Sequence, residues 1–161
     1  MKDFPDINEI KLLEKISQKN GSGILYEELL GIWKFQYVWE KESDEIKNIP
    51  SSILQVLSAR LELTSKNKED QLNFEIKNSI TFGLLNITFL GSAELKGLRP
   101  LLAFYFKELK ISINSFQIFI KELKKPEDKK RPFFSLIGIS TKENWLCARG
   151  RGGGLAIWVK S

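Results

Sequence analysis

The stretch Trp145-Leu-Cys-Ala-Arg149-Gly150-Arg151-Gly-Gly-Gly154-Leu-Ala-Ile-Trp158-Val159-Lys160 reads as two strands joined by a glycine-rich turn. Four glycines in five positions allow positive φ angles and a close approach of neighbouring backbone. Leu155, Ile157 and Val159 alternate with Ala156 and Trp158, which is the period of a strand. A chain ending this way uses its final strand to complete a sheet. The run Gly150-x-Gly152-x-x-Leu155 lacks the third glycine and the strand-to-helix setting of a dinucleotide fingerprint, so its glycines serve turn geometry.

The matching signal near the start of the chain is Gly31-Ile-Trp33-Lys-Phe35-Gln-Tyr37-Val-Trp39. A regular strand here places Trp33, Phe35, Tyr37 and Trp39 on one face, with Lys34 and Gln36 on the other. Such a row of rings either fills the space between layers or lines the inside of a barrel. Between the two aromatic ends, strand signals come quickly. Leu61 and Leu63 suggest one strand, and Leu72, Phe74 and Ile76 alternate with polar residues in the next. Asn78-Ser79 breaks that run before Ile80, Phe82 and Leu84. Ile87 and Phe89 follow, and Gly91 marks a bend. Leu101–Leu109 is a strand around Phe104, Ile111 and Ile113 begin a third nearby, and Phe116–Ile120 extends it or starts another. Phe133–Ile139 precedes a turn at Ser140–Asn144 into the closing hairpin.

Ahead of the strands, Asp6 caps a helix over residues 7–18, with Glu9 completing a capping box. Ile7, Ile10, Leu13 and Ile16 form its apolar stripe. Ile24–Leu30 is a short second helical segment. Residues 40–50 read as a polar loop, residues 50–57 as a short helix, and residues 66–70 as a turn. Lys121–Pro132 is a charged loop. The expected organisation is an N-terminal helical segment over residues 1–30 and a barrel over residues 31–161. About eight or nine antiparallel strands form a mainly β, lipocalin-like (calycin) barrel, because closure removes two apolar edges that would otherwise lie exposed.

Composition narrows the chemistry. The chain has 161 residues, no histidine, one cysteine and a net charge of +5. Missing histidine removes the common nucleophilic triads, histidine metal sites and the usual neutral-pH proton shuttle. The single cysteine, Cys147, lies in an apolar run and reads as a buried structural thiol. No phosphate loop, zinc pattern or calcium loop occurs, so neither cofactor nor metal is expected. The positive charge suits an anionic membrane surface, whereas its lysines are too mixed with acids for a nucleic-acid face. No stretch is long and apolar enough for a membrane span, so membrane contact is expected to be peripheral. Arg149 and Arg151 fall on one side of their strand by alternation. Arg149 is the best polar position, placed either over the Trp33 ring or against an anionic ligand group, and Arg151 reads as exposed.

The chain resembles the plastid lipid-associated protein (PAP/fibrillin) family in a short cyanobacterial form. Gly31-Ile-Trp33-Lys-Phe35-Gln-Tyr37 is similar to the family's Gly-x-Trp-x-Leu-x-Tyr strand, with Phe in place of Leu. Ala148-Arg149-Gly150 through Ile157 is similar to its closing Arg-Gly-x-x-Gly strand. Trp145-Leu146 stands where the family has Tyr-Leu-Asp, without the aspartate. The resemblance implies non-enzymatic binding of lipid, isoprenoid, pigment or fatty acyl molecules in membrane maintenance or stress protection. It also implies a cytoplasmic or peripheral thylakoid location, or plastoglobules and plastids in a eukaryote. The expected ligand-binding residues are Trp33, Phe35, Tyr37, Phe74, Phe104 and Arg149. The alternatives are a bilin lyase-like chromophore handler, or a structural or protein-interaction barrel with a filled core.

Overall fold

The computed structural model describes residues 4–39, 46–47, 60–67, 69 and 71–161. The helix expected over residues 50–57 lies outside the described residues, as does most of the loop before it and part of the turn at 66–70.

Two helices come first, α1 (Ile7–Asn20) and α2 (Tyr26–Leu29). The strands follow as β1 (Gly31–Trp39), β2 (Ile46–Lys47), β3 (Leu61–Ser65), β4 (Asn73–Phe82) and β5 (Leu85–Lys96). Then come β6 (Leu101–Ile113), β7 (Phe116–Glu122), β8 (Phe133–Ser140), β9 (Trp145–Gly150) and β10 (Leu155–Lys160). Every pairing is antiparallel, and β10 pairs back with β1. Eight strands (β1, β3, β4, β5, β6, β8, β9 and β10) therefore form a closed barrel. The two aromatic ends of the chain meet at its seam, where Phe35 is opposite Trp158 and Trp33 opposite Lys160.

α1 begins as its sequence requires. The Asp6 carboxylate accepts from the backbone amides of Asn8 and Glu9, and Glu9 accepts from the Asp6 amide at 2.7 Å. The helix lies against the outer wall, where Ile7, Ile10 and Leu13 join Trp39, Ile137, Trp145, Cys147, Leu155 and Ile157. This explains why β9 and β10 are apolar on both faces: Leu146, Ala148, Ala156 and Trp158 face the interior, while their neighbours face α1. The α1 stripe differs from the expected one. Ile16 is exposed, and Glu14 and Ser17 are buried in its place. A 3.6-residue period brings position 14 under position 10, and Glu14 is accommodated there by two arginines.

Three expectations about strands are corrected. β1 has a bulge between Phe35 and Tyr37, which reverses its parity. Val38 then packs in the interior cluster and Trp39 lies outside under α1, so the four aromatic residues do not share a face. β4 runs unbroken through Asn78-Ser79, with Asn78 fully buried. β6 is one thirteen-residue strand rather than two, and β7 is a separate strand paired to it. Lys121 and Glu122 belong to β7, and Asp128–Lys130 forms a single 3-10 turn within the charged segment.

The long strands leave the barrel at Gly91. A Cβ on this residue would sit 2.0 Å from the Tyr105 carbonyl oxygen, so only glycine permits the approach. The register between β5 and β6 shifts at Leu90/Gly91. Beyond this bulge, the ends of β4, β5 and β6 continue with β7 as a four-stranded extension.

Candidate functional site: the aromatic barrel interior

One end of the barrel is closed by α2. Ile24, Tyr26 and Leu29 enter the interior cluster, and the Tyr26 ring stacks on Phe74 at 4.2 Å between centroids. The Tyr26 hydroxyl donates to the Asn73 carbonyl at 2.8 Å, and the Trp33 indole donates to the Leu29 carbonyl at 2.8 Å. Lys160 caps this floor, with Nζ 5.1 Å from the Trp33 ring centroid and donating to the Glu28 carbonyl. Its stem crosses Gly31, where a Cβ would lie 2.9 Å from the Lys160 Cε.

Six rings form a connected row from β1 round to β5, the last of them, Phe89, lying just beyond Gly91 on the extension. Phe35 meets Trp158 edge-on at 6.1 Å, Trp158 meets Phe134 at 5.1 Å, and Phe134 stacks on Phe104 at 5.3 Å. Phe104 then meets Phe106 at 5.8 Å, and Phe106 meets Phe89 at 5.3 Å. Trp158, Phe134 and Phe104 are buried, while Phe35, Phe106 and Phe89 at the two ends are half-buried. Such an edge and stacking network fixes ring positions and presents apolar faces.

Two polar groups interrupt this apolar wall. Asn78 is fully buried, and among the described residues neither its amide oxygen nor its amide nitrogen has a hydrogen-bond partner. It follows Phe74 and Ile76 on the inward face of β4, beside Phe89 of β5 and Leu61 of β3. The Trp158 indole Nε1 is likewise buried with no partner among the described residues. Buried polar groups are normally satisfied, because an unmet one costs about 1–3 kcal/mol.

The expected site residues divide. Trp33, Phe74 and Phe104 are buried in one cluster with Phe35 packed against it. Trp33 and Phe74 belong to the floor, and Phe35 and Phe104 to the ring row. The side chain of Tyr37 lies outside the described residues. Arg149 is not in the interior and does not meet Trp33, whose cation is Lys160. Alternation along β9 puts Arg149 on the outer wall, where it binds Glu14 and donates to the Gly153 carbonyl. Arg151 is exposed in the closing turn rather than on β9, and donates to the carbonyls of Lys129 and Arg131. Asn78, Phe89, Phe106, Phe134 and Trp158 were not singled out as site residues. Asn78 could have been found as the one polar residue at an inward position between Ile76 and Ile80.

Electrostatics concentrate outside the barrel. Hydrogen bonds from Arg149 hold the Glu14 carboxyl below its ordinary range despite its burial, and Arg99 adds to the effect. Burial pushes the Cys147 thiol up to about 12. An open groove on the outer wall is lined by charged side chains such as Glu62, Glu75, Lys77 and Lys107. Among the described residues, no three metal-ligating side chains come together, and no helix is long and apolar enough to cross a membrane.

Comparisons with protein-family models, curated proteins and solved structures find no match to this chain. Its fold and interior define a closed, eight-stranded, lipocalin-like barrel with an N-terminal helix and a buried aromatic wall. That architecture is of the kind that encloses small hydrophobic molecules.

Proposed function

We propose that this protein is a non-enzymatic carrier of a small hydrophobic molecule that has a carbonyl or hydroxyl group, working at the surface of a photosynthetic membrane. The observation that carries the ligand reading is the pair of unmet polar groups, Asn78 and the Trp158 indole, within an aromatic interior. An indole N–H only donates, whereas an amide both donates and accepts. A ligand carbonyl would accept from either group and a ligand hydroxyl could also donate to the Asn78 amide oxygen, while an isoprenoid, pigment or acyl chain lies along the rings. The described interior supplies stacking and neutral hydrogen bonds, which suits retention better than proton transfer. The resemblance to the PAP/fibrillin family supports the same class of ligand and the photosynthetic setting.

Native mass spectrometry of gently purified protein tests this reading. The expected result is a bound species heavier than the chain by one small hydrophobic molecule, lost on denaturation. Repeated absence of any such adduct after exposure to isoprenoid, pigment and fatty acyl extracts would overturn it, leaving a structural barrel with a filled core.

A further inference from the structure

The four-stranded extension ends in two adjacent turns, joining β4 to β5 and β6 to β7. The Asn114 amide donates to the Leu84 carbonyl at 2.9 Å and ties them together. Large apolar side chains crowd this end and stand in solvent: Phe82 is 65% exposed, Leu84 62%, Ile113 44% and Phe116 78%. Ile118, Phe119 and Ile120 continue the exposed apolar surface along β7. The chain carries no charge from Asn78 to Ala93 or from Ile111 to Ile120, although 28% of its residues are charged. This end of the molecule is therefore apolar on its turns and along an exposed strand.

Behind it the net charge is positive, nearest the tip at Lys110 and Lys121 and farther back at Lys107, Lys125 and Arg131 round the Tyr105 ring. Residues 107–131 hold eight Lys and Arg against four acids, a net +4 out of the chain's +5. Lys110 lies roughly 10 Å behind the turn at Ile113, and Lys121 roughly 16 Å behind Phe116, at about 3.3 Å per strand residue. Interfacial elements enter a bilayer by roughly 5–10 Å, so an apolar tip inserted to that depth leaves these lysines behind it at headgroup level. A second copy docked on the same tip would bring two positively charged segments together, whereas an anionic surface complements them.

We propose that the paired turns Phe82–Leu85 and Ile113–Phe116 form a tip that inserts into an anionic lipid bilayer and seats the barrel on it. This deepens the membrane part of the reading above and is independent of the ligand. Opposite ends of the same strands thus wall the barrel and enter the membrane.

Vesicle flotation tests the proposal, using phosphatidylcholine with about 30% phosphatidylglycerol against phosphatidylcholine alone. Wild-type protein is expected to float with the anionic vesicles and to lose binding as salt rises. The double variant Phe82→Ser/Phe116→Ser should bind roughly tenfold or more weakly, while keeping the wild-type thermal midpoint because both positions are exposed. A separate Phe116→Trp variant should gain emission that spin-labelled lipid quenches, above the signal of the four native tryptophans. Equal flotation of wild type and double variant would overturn the tip and leave membrane binding standing on another face. No flotation of the wild type would overturn both, without touching ligand retention in the mass spectrum. A dimer dissolved by the double substitution, without vesicle binding, would show that a second copy covers the tip.

Discussion

Arg149 of β9 donates from Nε and Nη2 to the two carboxylate oxygens of Glu14 on α1, each at 2.6 Å. Arg99 adds a third bond to the same carboxylate at 3.1 Å. The side chain of Glu14 is only 9% exposed, so this fork is the polar centre of an otherwise apolar contact between helix and barrel. A bidentate arginine fixes direction as well as charge, which orients α1 along β8 to β10.

Replacing Glu14 with glutamine is expected to lower stability by about 2–3 kcal/mol at pH 7, since it leaves two arginines short of their counter-charge at a half-buried site. The effect has a pH signature. Because the folded Glu14 has a lowered pKa, its contribution is present above the ordinary carboxylate range and is lost as pH falls through the folded value. The gap between the urea midpoints of wild type and Glu14→Gln should start to narrow as pH falls through the ordinary carboxylate range of about 4. A gap that stays constant down to pH 3 would show that the pair adds nothing electrostatic.

Asn78→Leu is expected to act in opposite directions on stability and binding. Removing an unmet buried amide should raise stability of the ligand-free protein by about 1–2 kcal/mol, measured by urea unfolding. The same change removes the ligand's hydrogen-bond partner and should weaken affinity by roughly tenfold. A loss of both would indicate that Asn78 only supports packing.

Gly91→Ala forces a Cβ against the Tyr105 carbonyl, so it should cost about 3 kcal/mol or more in the urea midpoint. Gly152→Ala, where a Cβ meets nothing within 4 Å, is the matched control and should shift it little.

Cys147 is fully buried, and its thiol is pushed up to about 12. It should therefore resist a thiol reagent at pH 8 in the folded protein and react at once in denaturant. Rapid reaction without unfolding would mean that α1 lifts from the barrel.

Strand number and closure were legible because both ends of the chain are too apolar to serve as free edges, and hydrophobic alternation reports which residues are buried. The capping box at Asp6 was legible because it is local. Side-chain direction was not, wherever a bulge intervened. The extra residue at Gln36 turns Trp39 to the outside, and no simple alternation rule predicts it. Arg149 was recognised as the leading polar position but given the wrong partner. Glu14 is 135 positions away in sequence, and its place in an apparently apolar stripe emerges only once α1 lies on β9. Asn78 was hidden for a related reason, since a polar residue in a strand reads as a break until both neighbours are seen to face inward.

The most direct test of the central claim is titration with a polyene alcohol, a hydroxyl-bearing hydrophobe that absorbs where tryptophan emits. With Trp158 in the interior wall, saturable energy transfer at one polyene per chain is expected, reduced by Asn78→Leu and by Trp158→Phe. Transfer that never saturates, or that saturates identically in all three proteins, would contradict a ligand held in the barrel interior by Asn78 and the Trp158 indole.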